Sequence, residues 1–267
     1  MKPALPTSGH ALVTGASSGI GAALARELAR RGHPLVLTAR RVDRLHALRE
    51  ELGRTVDCRV LAADLEDPQA ARRLTEGLAE AGLRVALLVN NAGYGVAGSY
   101  LAADWETHAR FLQIMVNAVC ELSWRLLPQI REQRGGILNV ASLAGLVPGS
   151  AGHTLYGAAK AFMVRFSQSL ALENAAHGVR VCALCPGFTY SEFHDVTGTR
   201  AQVSRMPAWM WMQAEEVACE GIDAWQRGEV VWVPGRVNRL IKTLTSLLPD
   251  RLALALMARR SRDFRKT

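Results

Sequence analysis

No long hydrophobic run occurs in this chain. Its hydrophobic share is 49% of 267 residues, yet no stretch approaches the roughly 20 apolar residues needed to cross a bilayer. The opening MKPALPTSGHALVTG lacks an apolar core ahead of a small-residue cleavage site, so a cytoplasmic protein is expected. Cysteine is scarce and odd in number: Cys58, Cys120, Cys182, Cys185 and Cys219. Five scattered thiols make no disulfide framework. Cys182 and Cys185 spell C-x-x-C inside the apolar VRVCALCPG, with no second Cys or His pair nearby. Core thiols are expected there rather than redox or zinc chemistry, and no metal is expected. Repeats, low-complexity tracts and linkers are also missing.

Acidic charge is in deficit, but only locally. The net charge is +8, and from Arg236 onward nine Lys/Arg face two Asp/Glu. That tail carries +7, which leaves +1 for the other 235 residues. A nearly neutral body argues against a nucleic-acid groove.

What is present is alternation. Short apolar runs at 10–15, 34–39, 58–64, 86–93, 136–142, 179–187 and 230–235 read as buried strands. Helical patterns at 20–31, 41–52, 68–81, 105–134 and 155–177 separate them. Strands that are apolar throughout, spaced by helices, predict an α/β fold: a Rossmann-like doubly wound parallel sheet of about seven strands with helices on both faces. The expected division is a nucleotide-binding catalytic domain over 1–235 and a basic amphipathic helical tail over 236–267. In the tail, Leu240, Ile241, Leu244, Leu247 and Leu248 keep helical spacing, and Pro249 suits a second helix start. The tail could rest on an anionic membrane, cover the cleft or join subunits.

The first strand runs into TGASSGIGAALARELARRG, with Gly15, Gly19 and Gly21 spaced G-x3-G-x-G. Between a strand and an amphipathic helix, such a turn lets the backbone approach a pyrophosphate, and helix N-terminal amides favour the anion. Ser17 and Ser18 add hydroxyl donors. At the end of the second strand, no Asp or Glu is present to bind a ribose 2′-hydroxyl. The chain reads LVLTARR instead, and Arg40 and Arg41 could pair a 2′-phosphate. NADP(H) is therefore expected over NAD(H). Asp64 ends the third strand and is placed to meet an adenine edge. Asn90 and Asn91 end the fourth and could equally be turn residues.

TGASSGIG, NNAG, Asn117, Ser142, YGAAK and Pro186-Gly187, in this order and at these intervals, resemble the short-chain dehydrogenase/reductases of single-domain length, over about residues 1–235. The resemblance implies a nicotinamide cofactor, homodimers or homotetramers, and a tetrad mapping to Asn117, Ser142, Tyr156 and Lys160. It also implies cofactor contacts from Gly15, Ser17, Ser18, Gly19, Ile20, Gly21, Arg40, Arg41, Asp64, Leu65, Asn91, Ala92, Gly93, Tyr156, Lys160, Pro186, Gly187 and Thr189. PGFTYSEF looks like the PGFTxTEF version of a bacterial subgroup, with Ser191 keeping the hydroxyl.

The chemistry stands on its own terms as well. Hydride transfer at a carbonyl carbon needs proton transfer at its oxygen. Tyr156 and Lys160 lie one helical turn apart, so the ammonium is expected to lower the phenol's pKa. Ser142 can hydrogen-bond the substrate oxygen. Asn117 is expected, as in the family, to hold a water that links Lys160 to solvent. Segment 190–213 lies where the family places a lid, and it is rich in Met and aromatic residues. Tyr94, Leu143, Phe188, Phe193 and Trp209, with Ser142 and Tyr156, are the expected substrate wall; Ala144 and His153 are further wall positions, with His153 expected to face solvent or a loop rather than take a proton role. Such a wall suits a bulky apolar ketone, ketoacyl group or steroid-like carbonyl. Ordinary packing of a short helix is the alternative for the lid. A catalytically silent nucleotide-binding scaffold is the alternative for the whole.

Overall fold

The computed structural model describes residues 9–96, 98–152, 154–192 and 207–260. Phe193, His153 and Met206 lie outside them. Seven strands form one parallel sheet: β1 (His10–Thr14), β2 (Leu35–Thr38), β3 (Cys58–Val60), β4 (Val85–Asn90), β5 (Gly136–Val140), β6 (Arg180–Leu184) and β9 (Val231–Trp232). Their order is β3-β2-β1-β4-β5-β6-β9. The expected Rossmann-like doubly wound sheet is therefore the fold. Strands such as LVLT and VALLVN are buried residue by residue, which is why their sequences show no polar alternation.

Two layers cover the faces. On one side α1 (Gly19–Arg30), α2 (Val42–Leu52) and α7 (Ala214–Gln226) pack through Leu24, Leu28, Leu45, Ile222 and Trp225. On the other, α3 (Ala70–Glu80), α4 (Trp105–Leu112), α5 (Ala118–Glu132) and α6 (Thr154–Asn174) pack through Leu74, Phe111, Leu122, Leu126 and Ala159. Each fully buried Leu or Phe contributes on the order of 1.5–3 kcal/mol. Trp225 shows how the polar parts are reconciled: it is fully buried, and its indole nitrogen donates to the Arg180 carbonyl at 3.0 Å.

Two features differ from the sequence reading. The single helix expected over 105–134 is interrupted by a π-helical turn, Gln113–Asn117. A short second sheet, β7 (Thr189–Tyr190) with β8 (Met212–Gln213), joins the two ends of the expected lid. The tail forms α8 (Arg236–Leu247) and α9 (Asp250–Arg260). Among the described residues no helix is long and apolar enough to cross a membrane.

Candidate active site

Strand order reverses between β1 and β4, the position at which a doubly wound sheet opens a crevice beyond its strand ends. A cleft of about 1040 Å³ lies there. One end is the glycine turn. Gly15 adopts φ +66°, and a Cβ on Gly21 would sit 2.3 Å from the Gly15 carbonyl oxygen, so neither position accepts a side chain. Asn91 fastens this turn: its amide donates to the carbonyls of Thr14 at 2.9 Å and Gly15 at 3.3 Å. Thr14, unmarked by sequence reasoning, accepts from the amides of Asn91 and Ala92 through its hydroxyl.

The cleft wall includes Gly15, Ser17, Ser18, Gly19, Ile20, Arg40, Arg41, Asp64, Leu65, Asn91, Ala92, Gly93, Pro186, Gly187 and Thr189. Of the expected cofactor residues, only Gly21 stands behind the wall, as the spacer just described. The two arginines are not equivalent. Arg40 donates to Glu66 at 2.6 Å. Arg41 turns to the glycine loop, donating to Ser18 at 2.7 Å and Ser17 at 3.2 Å. A glycine cradle with no room for a Cβ, ending in a guanidinium and two hydroxyls, fits a phosphorylated dinucleotide.

The other end holds Ser142, Tyr156 and Lys160. Ser142 follows β5, and its hydroxyl accepts from the Ala144 amide at 3.1 Å. The Lys160 ammonium is 5% exposed and donates to the Val140 carbonyl at 2.7 Å. It stands 5.7 Å from the centre of the Tyr156 ring. Helix α6, which carries both, is anchored by a buried polar chain that crosses two strands. Asn90 donates to Ser123 at 3.3 Å and to Asn139 at 2.8 Å, and Asn139 donates to Ser167 of α6 at 2.8 Å. Of the two asparagines that read equally as turn residues, Asn90 is thus a strand-end core residue and Asn91 a brace.

For the protein alone, the phenol shifts opposite to the lowering expected from the ammonium and the oxidised nicotinamide's charge together. Burial pushes the Tyr156 phenol up to about 12, with a hydrogen bond to Ser142 opposing. Burial likewise pushes Lys160 down to about 8. The sequence identified the charged neighbour but not the low-dielectric surroundings, which disfavour both phenolate and ammonium. Cys185, beside them, is pushed up to about 12 by burial. The thiols of Cys182 and Cys185 are free and buried, and among the described residues no cluster could hold a metal ion.

Asn117 requires correction. It is exposed, and its amide donates to Gln113 at 3.0 Å. It is not part of the cleft wall, where Ile114 and Met115 stand instead. Met115 is fully buried, with its sulfur 2.4 Å from the point where a Gly93 Cβ would begin. The π-turn carries an extra residue per turn, which alters the direction of the side chains that follow. Asn117→Ala should change kcat by less than about threefold, because one exposed side-chain hydrogen bond is lost and nothing in the cleft is touched. A loss of tenfold or more in steady-state turnover would restore the relay role.

On the substrate side Tyr94, Leu143 and Phe188 line the cleft. Tyr94 meets Phe111 edge-on at 5.8 Å, and Phe188 packs on Trp211 at 5.5 Å. Trp209 does not line it; the ring is 65% exposed, and its neighbour Met210 forms the wall. A 3-10 turn over Ala208–Met210 sends adjacent side chains in different directions. Of the roles left open for the tail, covering the cleft is the one the structure shows, through residues not singled out as wall in the sequence. Asn238, Ile241 and Thr245 of α8 and Met257 of α9 line the cleft. Their i, i+3, i+7 spacing on α8 was a readable signal of one face, though not of which way it turned.

Residues 9–201 match the family profile described as short chain dehydrogenase. A sulfoacetaldehyde reductase of Chromohalobacter salexigens is 38% identical over 187 residues, 68% of this chain and 72% of that protein. A short-chain dehydrogenase from Sphingobium yanoikuyae, solved in complex with NADPH, superposes with a TM-score of 0.78 at 31% identity, over 90% of this chain and 96% of that one. The bulky-bulky ketone specific alcohol dehydrogenase from Comamonas testosteroni gives 0.74 at 30% identity, over 90% and 95%.

Proposed function

This chain belongs to the short-chain dehydrogenase family and is an oxidoreductase of alcohol and carbonyl groups; from that premise we propose that it is an NADPH-dependent reductase of bulky apolar ketones. The observation that carries the reading is one continuous cleft, with Arg41 and the two serines at one end and Ser142, Tyr156 and Lys160 at the other. Bound nicotinamide supplies or accepts the hydride. In this reading the chain's own residues do the rest. The Tyr156 hydroxyl gives its proton to the carbonyl oxygen. Ser142 hydrogen-bonds that oxygen, and Lys160 holds the ribose hydroxyls and stabilises the phenolate left behind.

The apolar side chains of Leu143, Phe188, Met210, Ile241 and Met257 favour a large uncharged substrate, and the structurally similar Comamonas enzyme is specific for bulky-bulky ketones. A panel of ketones graded by size, followed by loss of NADPH absorbance, tests this. Faster turnover of small charged aldehydes than of any bulky ketone overturns the substrate class. NADPH binding without turnover of any carbonyl would favour the scaffold alternative.

The tail belongs in this proposal as part of the same domain, since its inner face lines the cleft. Its outer face carries Leu240, Leu244 and Leu247 at i, i+4 and i+7, each more than half exposed. Residues 236–267 carry +7, so a second copy brought against the same face would be repelled, whereas an anionic bilayer would be attracted. Full-length protein should float with phosphatidylserine vesicles, and Leu240→Ser, Leu244→Ser, Leu247→Ser together should abolish flotation. Sedimentation of the unaltered protein away from such vesicles removes the membrane reading. Self-association, a homodimer or homotetramer as the family implies, would use other faces. A monomer mass by light scattering would overturn it.

A further inference from the structure

The segment that follows β6 crosses the mouth of the glycine turn. The Ser191 Cβ lies 3.0 Å from the point where a side chain on Gly19 would begin. The next residue, Glu192, reaches over to α2. One of its carboxylate oxygens accepts from Arg41 at 2.8 Å, and the other accepts from Arg44 at 2.6 Å. These two guanidiniums hold the carboxyl below the usual carboxylate range, so it is ionised at neutral pH. Glu192 and Ser191 belong to the same wall of the cleft as Arg41, Ser17 and Ser18. The one guanidinium turned toward the glycine loop is therefore already engaged by an anion from this chain.

A carboxylate and a phosphate monoester make the same kind of charge-assisted, forked contact with a guanidinium. Two anions on one Arg41 repel each other. We propose that Glu192 is an internal occupant of the 2′-phosphate site and sets how strongly this protein prefers a 2′-phosphorylated nucleotide over its unphosphorylated counterpart. This rests on the reading of Arg41 as the phosphate-binding group. The three partners are each about 40% exposed, Arg41 at 38%, Arg44 at 44% and Glu192 at 41%, so solvent screens the pairs and the effect is moderate. Removing the carboxylate leaves both arginines free for the phosphate.

The test measures binding of 2′,5′-ADP and of 5′-AMP by calorimetry to the full chain, Glu192→Gln and Glu192→Ala. The expected result is a three- to tenfold tightening of 2′,5′-ADP in both variants, with 5′-AMP within about twofold of the unaltered protein. The gain should shrink as salt rises. If 2′,5′-ADP binds equally well or more weakly in both variants while the unaltered protein still prefers it over 5′-AMP, Glu192 is not a competitor and the inference is overturned, although the phosphate site stands. If neither the unaltered protein nor either variant prefers 2′,5′-ADP over 5′-AMP, the phosphate reading itself fails. Equal tightening of both nucleotides would also overturn the inference, since it would point to a general opening of the segment.

Discussion

Tyr156→Phe should lower turnover by about a thousandfold or more while leaving the NADPH dissociation constant within about threefold. The ring keeps its shape, so the packing of α6 against the loop after β5 is undisturbed and only the hydroxyl is lost. A positioned proton donor contributes roughly 10²–10⁴-fold, about 3–5 kcal/mol of barrier. Here the phenol is raised to about 12 by burial. It therefore stays protonated at neutral pH, as a donor to a developing alkoxide must. In the proposed reading, cofactor binding rests chiefly on other groups: the glycine turn, Arg41 with its serines, and the ammonium of Lys160, which donates to the Val140 carbonyl. Steady-state rates and NADPH fluorescence titration check both halves. Near-normal turnover would remove Tyr156 from the chemistry, and lost NADPH binding would make its role structural.

What could be read in advance was local. The glycine turn announces itself because the steric demand at Gly15 and Gly21 acts within a few residues. The Tyr156/Lys160 pair is one turn of one helix. The seven strands were legible because a parallel sheet covered on both faces needs apolar residues at every position. What depended on the third dimension was missed. The family resemblance places Asn117 at the site, and across the π-turn at Gln113–Asn117 the cleft is lined by Ile114 and Met115 instead. The charge neighbouring Tyr156 was visible in sequence, whereas the burial that raises the phenol and the Ser142 hydrogen bond that opposes it were not. The tail's amphipathic spacing was clear, but a helix with apolar residues on two faces does not reveal which of them meets the cleft.

The arginine pair shows the same limit and allows a sharper prediction than the sequence did. Sequence alone offers both Arg40 and Arg41 for the phosphate and places the selective test on Arg40. In the fold they diverge, because Glu66, 26 residues beyond Arg40, draws that side chain away at 2.6 Å, while Arg41 stays against Ser17 and Ser18. Arg41→Asp should therefore lower kcat/KM for NADPH by about a hundredfold, with NADH changed by less than about threefold. That loss corresponds to about 2.7 kcal/mol, the scale of one charge-assisted hydrogen bond removed and one like charge added beside a phosphate. Arg40→Asp should cost no more than about tenfold, since Arg40 pairs with Glu66 rather than with the glycine-loop serines that Arg41 reaches, and is half exposed. Parallel NADPH and NADH kinetics on both variants decide the matter. A larger loss in Arg40→Asp than in Arg41→Asp would mean that the phosphate outcompetes Glu66 for Arg40 and that Arg41 serves the loop alone. An equal loss with both cofactors would mean that Arg41 braces the glycine turn and carries no selectivity.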